Sequence, residues 1–412
     1  VSALIVCGLV VILLWALVGR RLETLGIPGP LVIVVLGVVA GALFGQDLGS
    51  QLNTDISERV VEIILAILLF VDATEVRRGF FGGEARLIAR LLAIALPLSL
   101  LAAVGAGALL IPGASWPVLL VIACVVIPTD FAAATAILRE RRLPGRLRHV
   151  VNVESGYNDG IVSPLFLFAL AIAGGTDVSN GVLPAIGAAV WASVVAVVVG
   201  TVIGGAAGIA IRHAVKARWV SEQSMRIGVV VIPLLVYVVD LPLSGNGFVA
   251  AFVAGIAFRI ARAGRRGGDE ALDHHELTAV EDVGLFTSYG MWFVFGAVTL
   301  LAFETGLDWR LVLFSLLALT VLRMLPVYLS LLGSTASWRE RTVIGLAGPR
   351  GTASIVFGLL AYNALRDDDA DTALYVTVIV VLGSIILHGA LAPRLAVSIL
   401  GTSQDATEPR SG

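Results

Sequence analysis

The segment ESGYNDG, residues 154–160, sets Glu154, Ser155, Asn158 and Asp159 inside an otherwise apolar run. At 100° per residue these side chains fall within a sector of about 140°, with 154/158 and 155/159 as i, i+4 neighbours, so a helix here is polar on one face. Tyr157 points elsewhere, and Gly156 and Gly160 let another backbone approach. Packing alone can use an Asn or a Ser, but two carboxylates on one face point to holding a proton or a cation. A second group stands at VIPTD, residues 126–130. Pro128 removes a backbone donor and disturbs the preceding turn. Thr129, Asp130 and the carbonyls so released are oxygen ligands of the kind a hard cation takes. A third group, AGPRG at 347–351, interrupts another apolar run and carries Arg350, while Arg323 stands alone in LLALTVLRMLPVYL.

The elements that position these residues are set by composition. Of 412 residues 58% are hydrophobic and 14% charged, and the mean hydropathy is +0.96, which excludes an ordinary soluble domain and points to an integral membrane protein. Glycine, at 45 residues, suits helices that approach closely in lipid. Cys7 and Cys124 lie in apolar runs and read as free buried thiols. Apolar runs of about 17 to 25 residues predict thirteen spans: 1–19, 28–44, 58–73, 86–111, 116–138, 148–173, 183–211, 224–239, 246–262, 283–303, 308–333, 340–363 and 372–397. The first, followed at once by Arg20 and Arg21, reads as a retained helix rather than a cleaved leader.

Positive charge alternates with these spans. Arg77, Arg78 and Arg86, then Arg139, Arg141, Arg142, Arg146 and Arg148, then Arg212, Lys216, Arg218 and Arg226 fall in every second loop. Arg259, Arg262, Arg265 and Arg266, then Arg339 and Arg341, then Arg394 and Arg410 continue the pattern, while QDLGSQLNTD, IPGASW and DLPLSGN carry no base. The rule that cytoplasmic loops are positive places the N-terminus outside and the C-terminus in the cytoplasm. It also accounts for the arginines without nucleic acid. Residues 1–397 form one transmembrane unit, with a short tail at 398–412 expected to be disordered. His274 and His275, in the loop ARAGRRGGDEALDHHE, read as solvated loop residues.

Five ionisable groups stand near mid-span: Asp130, Glu154, Asp159, Arg323 and Arg350. Arg59, Glu62, Asp72, Arg90 and Glu304 lie nearer the ends, within reach of the interface. Three mid-span acids against two bases leave one formal negative charge, which one proton or one monovalent cation can neutralise. A site that crosses the membrane only when neutralised couples the two ions, because the empty charged form is held back by its desolvation cost. The two breaks lie in the fifth and twelfth spans, so the first six and last six spans can be repeats of opposite orientation about the seventh.

PTD at 128–130, ESGYNDG at 154–160, GNGFVAAFVAGIAF at 245–258, the lone Arg323 and GPRGTAS at 348–354 together resemble the NhaP-type and NHE-type sodium/proton exchangers of the monovalent cation/proton antiporter superfamily. The resemblance covers most of the chain. It implies an all-α polytopic membrane protein of the NhaA-like antiporter fold, with about thirteen helices, inverted repeats and two broken helices that cross. It further implies a core, including about 86–173 and 308–397, that moves against a dimerisation part, and a homodimer. Asp159 is then the carboxylate shared by cation and proton, with Asp130, Thr129, Ser155 and Glu154 around the ion. A Na+ would sit at Asp130, Asp159, Ser155 and Thr129. Asn158 marks the Asn-Asp branch, which is usually electroneutral; Glu154 pairs with Arg323; Arg350 stands beside the twelfth-span break. Phe131 and GPRG depart from the commoner pattern, a Pro after the Asp and Gly-Leu-Arg-Gly.

The expected function is secondary-active Na+ or Li+/H+ antiport, probed against K+/H+ antiport and a cation channel as alternatives, with no cofactor and no enzymatic activity. An intramembrane aspartyl protease would need Tyr-Asp and Gly-x-Gly-Asp signatures, which the relevant spans lack. An organic-anion transporter is disfavoured by the mid-span acids. Asp72, in LLFVDATEV, is either an entry-funnel residue or an interfacial one, and His388 reads as a satisfied packing residue rather than a proton relay. Membrane lipid and small cations are the expected partners, and the plasma (inner) membrane of a bacterium the expected location.

Overall fold

The computed structural model describes residues 2–45, 54–75, 84–131, 143–174, 182–263, 274–303 and 306–401. Among them there is no strand. The helices are α1 Ser2–Thr24, α2 Gly29–Phe44, α3 Asp55–Glu75, α4 Ala85–Leu110, α5 Trp116–Val126, α6 Gly145–Ala173, α7 Val182–Lys216, α8 Glu222–Asp240, α9 Gly247–Ala263 and α10 His274–Val298. There follow α11 Trp309–Leu319, α12 Val321–Ser330, α13 Trp338–Leu346, α14 Thr352–Ala364 and α15 Asp367–Ser384. A π-helical stretch, Ile385–Leu391, joins α15 to α16 Ala392–Gly401.

Local chemistry sets many of these limits. Pro117 sits in the first turn of α5, where its missing N–H costs nothing. The α13 helix opens on a capping box in which the Glu340 N–H donates to Ser337 Oγ (3.2 Å) and the Ser337 N–H to Glu340 Oε2 (2.7 Å). Eight described helices are long and apolar enough to cross a membrane by length and composition, and three shorter apolar ones, α2, α5 and α14, add to them. Several helices outrun the apolar runs that predict them. Helix α7 continues to Lys216 and α10 begins at His274, well before 283, so His274 and His275 open a helix rather than lie in a loop. Helix α16 likewise runs to Gly401, into the expected tail. Arg77, Arg78, Arg139, Arg141, Arg142, Arg265, Arg266, Glu304 and Arg410, and residues 402–412 of the tail, lie outside the described residues.

Two sets of helices pack among themselves. On one side α7 lies along α9, α2 along α10, and α3 along α9; on the other α5 is enclosed by α4, α6, α14 and α15, and α11 lies on α15. They meet where α3 and α9 touch α6, and where α3 and α10 touch α14. The α7–α9 seam is made by glycines at four-residue spacing: a Cβ added at Gly200, Gly204 or Gly208 would collide with the carbonyl of Ala250, Ala254 or Phe258. Backbones can come this close only where side chains are missing, which gives dispersion contact in a medium without a hydrophobic force between helices. Gly204→Ala should therefore lose about 1–3 kcal/mol through overpacking. Thermal unfolding in detergent, followed by the reactivity of the fully buried Cys124, would check this.

Candidate ion-binding site

Helix α5 stops at Val126 and the chain runs on through Pro128, Thr129 and Asp130 without helical bonds. Helix α13 stops at Leu346, and Ala347 to Gly351 are likewise unwound before α14. The two interruptions meet and satisfy each other. The Asp130 N–H donates to the Pro349 carbonyl (2.8 Å), the Ala353 N–H donates to Asp130 Oδ2 (3.2 Å), and the Ser354 hydroxyl donates to the Val125 carbonyl (2.8 Å). Arg350, wholly buried, sends one guanidinium nitrogen to the freed carbonyls of Ile127 and Pro128 and the other to that of Ala318 (3.1 Å). The Ile127 and Pro128 carbonyls, left free where the helix ends, would otherwise be buried acceptors without a donor, so one arginine of the second break completes the first. Gly351 has to lack a side chain, because a Cβ there would come 2.5 Å from Asp130 Oδ2.

The polar face of α6 lies against this crossing. Glu154, Ser155, Asn158 and Asp159 are all buried. The Ser155 hydroxyl donates to the Thr129 carbonyl (2.7 Å) and the Asn158 amide donates to Thr129 Oγ1 (2.6 Å), which fixes α6 to the first break. Two acceptors then remain with no donor among the described residues, Asp159 Oδ1 and Asn158 Oδ1. A carboxylate at 1% exposure with an oxygen unmatched by the described residues is able to take a proton or a cation. The structure thus gathers Asp159, Asn158, Ser155, Thr129 and Asp130 around one crossing.

Glu154 is placed differently. Its two oxygens accept from the Arg323 guanidinium at 3.0 and 2.8 Å, and Arg323 also reaches the Ala347 carbonyl (3.2 Å) at the end of α13. Both partners are buried. This pair fastens α6 to the second break, and both carboxylate oxygens of Glu154 face a base. Asp72 is half-buried on α3, and its backbone carbonyl is the atom nearest to where a Gly156 Cβ would stand, at 3.3 Å. Gly156 therefore admits a neighbouring backbone, as its composition suggests. Gly160 instead admits a ring, that of Phe252 on α9, which also meets Tyr157 edge-on at 5.5 Å.

Other supports carry no mark in the sequence. The helix is irregular at Thr320, between α11 and α12, with neither Pro nor Gly to announce it, and this lies beside the Ala318 carbonyl that Arg350 takes. Ser384 Oγ accepts the Arg350 N–H (2.7 Å) and meets His388 Nδ1 at 3.1 Å, so His388 is buried and bonded within the π-helical stretch. Ser288 on α10 bonds Thr352 at the start of α14 (2.7 Å). Spaced serines and threonines after GPRG were the available signal, but their partners are distant in sequence.

The family model described as "Sodium/hydrogen exchanger, transmembrane" matches residues 8–397. The chain belongs to that family. Among relatives, the chain is 26% identical over 356 residues to a Na(+)/H(+) antiporter of Schizosaccharomyces pombe, covering 79% of this chain and 74% of that one. It is 27% identical over 278 residues to a Na(+)/H(+) antiporter of Saccharomyces cerevisiae, which takes in 64% of this chain but 27% of that longer protein. The solved structure of the sodium proton antiporter MjNhaP1 from Methanocaldococcus jannaschii at pH 8 superposes with a TM-score of 0.78 at 22% identity, over 97% of this chain and 99% of that one. The fold is therefore the one shared with that antiporter, with two broken helices crossing inside a helical membrane protein.

Proposed function

We propose that the chain is a secondary-active antiporter that exchanges one Na+ or Li+ for one H+ by alternating access at a single carboxylate. The observation that carries this reading is the buried Asp159 oxygen without a donor among the described residues, beside the equally unmatched Asn158 oxygen, at the crossing of two broken helices. Asp159 holds the proton or the cation. Asp130, Ser155 and Thr129 complete an oxygen-lined cradle suited to a small hard ion. Asn158 orients Thr129 and remains neutral, so only one charge is exchanged per cycle. Glu154 acts through Arg323, as the counter-charge that holds α6 in place, and Arg350 keeps the two breaks together. Asp72, beside Gly156, lines the approach to Asp159.

In this reading the set α4–α6 with α11–α16, corresponding to about 86–173 and 308–397, moves against α1–α3 and α7–α10, within one unit of thirteen crossings and a homodimer in the plasma (inner) membrane of a bacterium. The N-terminus faces outward and the C-terminus the cytoplasm. The cycle needs no cofactor. An acid that must be neutral to move accepts either ion but never both, and this mutual exclusion is the coupling.

The test is a pH gradient in proteoliposomes, reported by a dye and challenged in turn with Na+, Li+ and K+. Na+ and Li+ should each collapse the gradient. A response to K+ alone would favour the K+/H+ antiporter, and cation flux that moves no protons would favour a channel. One-for-one exchange also predicts an initial rate that does not change when the membrane potential is clamped or reversed; voltage dependence would refute it.

A further inference from the structure

A second buried carboxylate lies outside the exchange site. Asp240, the last residue of α8, is fully buried, and neither of its oxygens accepts a hydrogen bond from the described residues. The turn that follows is folded directly over it. Leu241–Leu243 form a 3-10 turn, Ser244 takes the left-handed conformation (φ 56°), and the Gly245 N–H returns to the Asp240 carbonyl at 3.1 Å. A Cβ at Gly245 would collide with both carboxylate oxygens, so the backbone rests against the acid with no room for a side chain. The surroundings add negative rather than positive potential, because the last carbonyls of a helix carry the negative end of its dipole. Among the charged groups of α3, which packs against α8, Glu62 and Arg59 are already committed. One turn before Asp240 the Tyr237 hydroxyl donates to Glu62, which is paired with Arg59 at 2.9 Å.

An ionised carboxylate so enclosed, with no donor among the described residues, is costly to keep charged. We infer that Asp240 is a second binding site for a single positive charge, a proton or a monovalent alkali cation, distinct from the exchange site. A divalent ion does not suit it, since no group of three or more His, Cys, Asp or Glu side chains gathers there among the described residues. The occupant lets the turn close. The turn in turn seats α9: the Asn246 N–H donates to the Ala192 carbonyl of α7 (3.2 Å), and Asn246 Oδ1 accepts the N–H groups of Phe248 and Val249 (3.1 and 3.2 Å). Helix α9 carries Phe252, whose ring lies on Gly160 next to Asp159. Charge bound at Asp240 thus steadies one wall of the exchange site without entering it, from the loop that the arginine pattern predicts to be external.

Infrared difference spectra of the full chain in liposomes test this, comparing wild type with Asp240→Asn at neutral pH, first in choline buffer and then in saturating Na+. In choline the wild type should show a protonated-carboxyl stretch that the variant lacks. Persistence of that band in Na+ identifies the occupant as a proton, and its loss in Na+ identifies an alkali cation; either supports the site. Absence of that band from the wild type in choline would mean an ionised Asp240 with nothing bound, and would overturn it. Asp240→Ser gives the same comparison if the Asn side chain is not accommodated.

Discussion

Asp159→Asn should reduce exchange to the rate of protein-free liposomes while the protein remains folded. The amide is nearly the same size as the acid, and it can donate one of its N–H groups within a site that holds unmatched acceptors, Asn158 Oδ1 among them. Packing is therefore kept, and the charge proposed as the one both ions compete for is gone. Without it the site is always neutral, so movement of the carrier is no longer tied to occupancy, and no cation displaces a proton. The check is dye-monitored exchange at several Na+ concentrations, beside a thermal unfolding curve. A variant with wild-type stability and wild-type exchange would remove Asp159 from the centre of the mechanism.

The second large effect concerns the pair between Glu154 and Arg323. Glu154→Leu alone should cost about 3–5 kcal/mol, because it leaves a buried guanidinium without a counter-charge, whereas the double replacement Glu154→Leu with Arg323→Met should recover most of that loss. Buried pairs often contribute little net stability compared with apolar groups of the same volume, yet removing one half exposes the full desolvation cost of the other. Unfolding midpoints of the two single variants and the double variant measure the coupling. Exchange by the double variant adds a functional reading. Retained transport would confine Glu154 to holding α6 against α13, and complete loss in a stable protein would return it to the ion.

The polar face of α6 was legible because i, i+4 spacing is a property of sequence alone, and Glu154, Ser155, Asn158 and Asp159 need only a helix to align. The first break was legible because Pro128 announces it. The reach of Arg350 to Ile127 and Pro128 was not, since it depends on two segments more than 200 residues apart meeting at a crossing, which leaves no local trace. The irregular Thr320 had no Pro or Gly to mark it, and its cause lies in the packing around Ala318 and Arg350. Helix ends were misjudged mostly in one direction, although α10 ends at Val298 and α12 at Ser330, short of the predicted 303 and 333. Apolar runs end where charge begins, but α10 continues through His274–Glu281 because backbone hydrogen bonding persists where the helix leaves the apolar layer. Asp240 escaped notice for a related reason: an acid followed by Pro, Ser and Gly at the end of an apolar run reads as a solvated turn, and only the folded chain encloses it.

The two interrupted segments are bonded to one another through Asp130 to Pro349 and Arg350 to Ile127 and Pro128, and α6 is bonded to the first through Ser155 and Asn158, so in the proposed mechanism the ligands keep their mutual positions as the surrounding helices slide. An ion arriving from either compartment then meets the same arrangement of oxygens. Intrinsic affinity would be alike at the two faces, and any directional preference of the working transporter would arise from the acidity and salt content of the compartments themselves. Reversing those gradients should make it run backwards with equal ease.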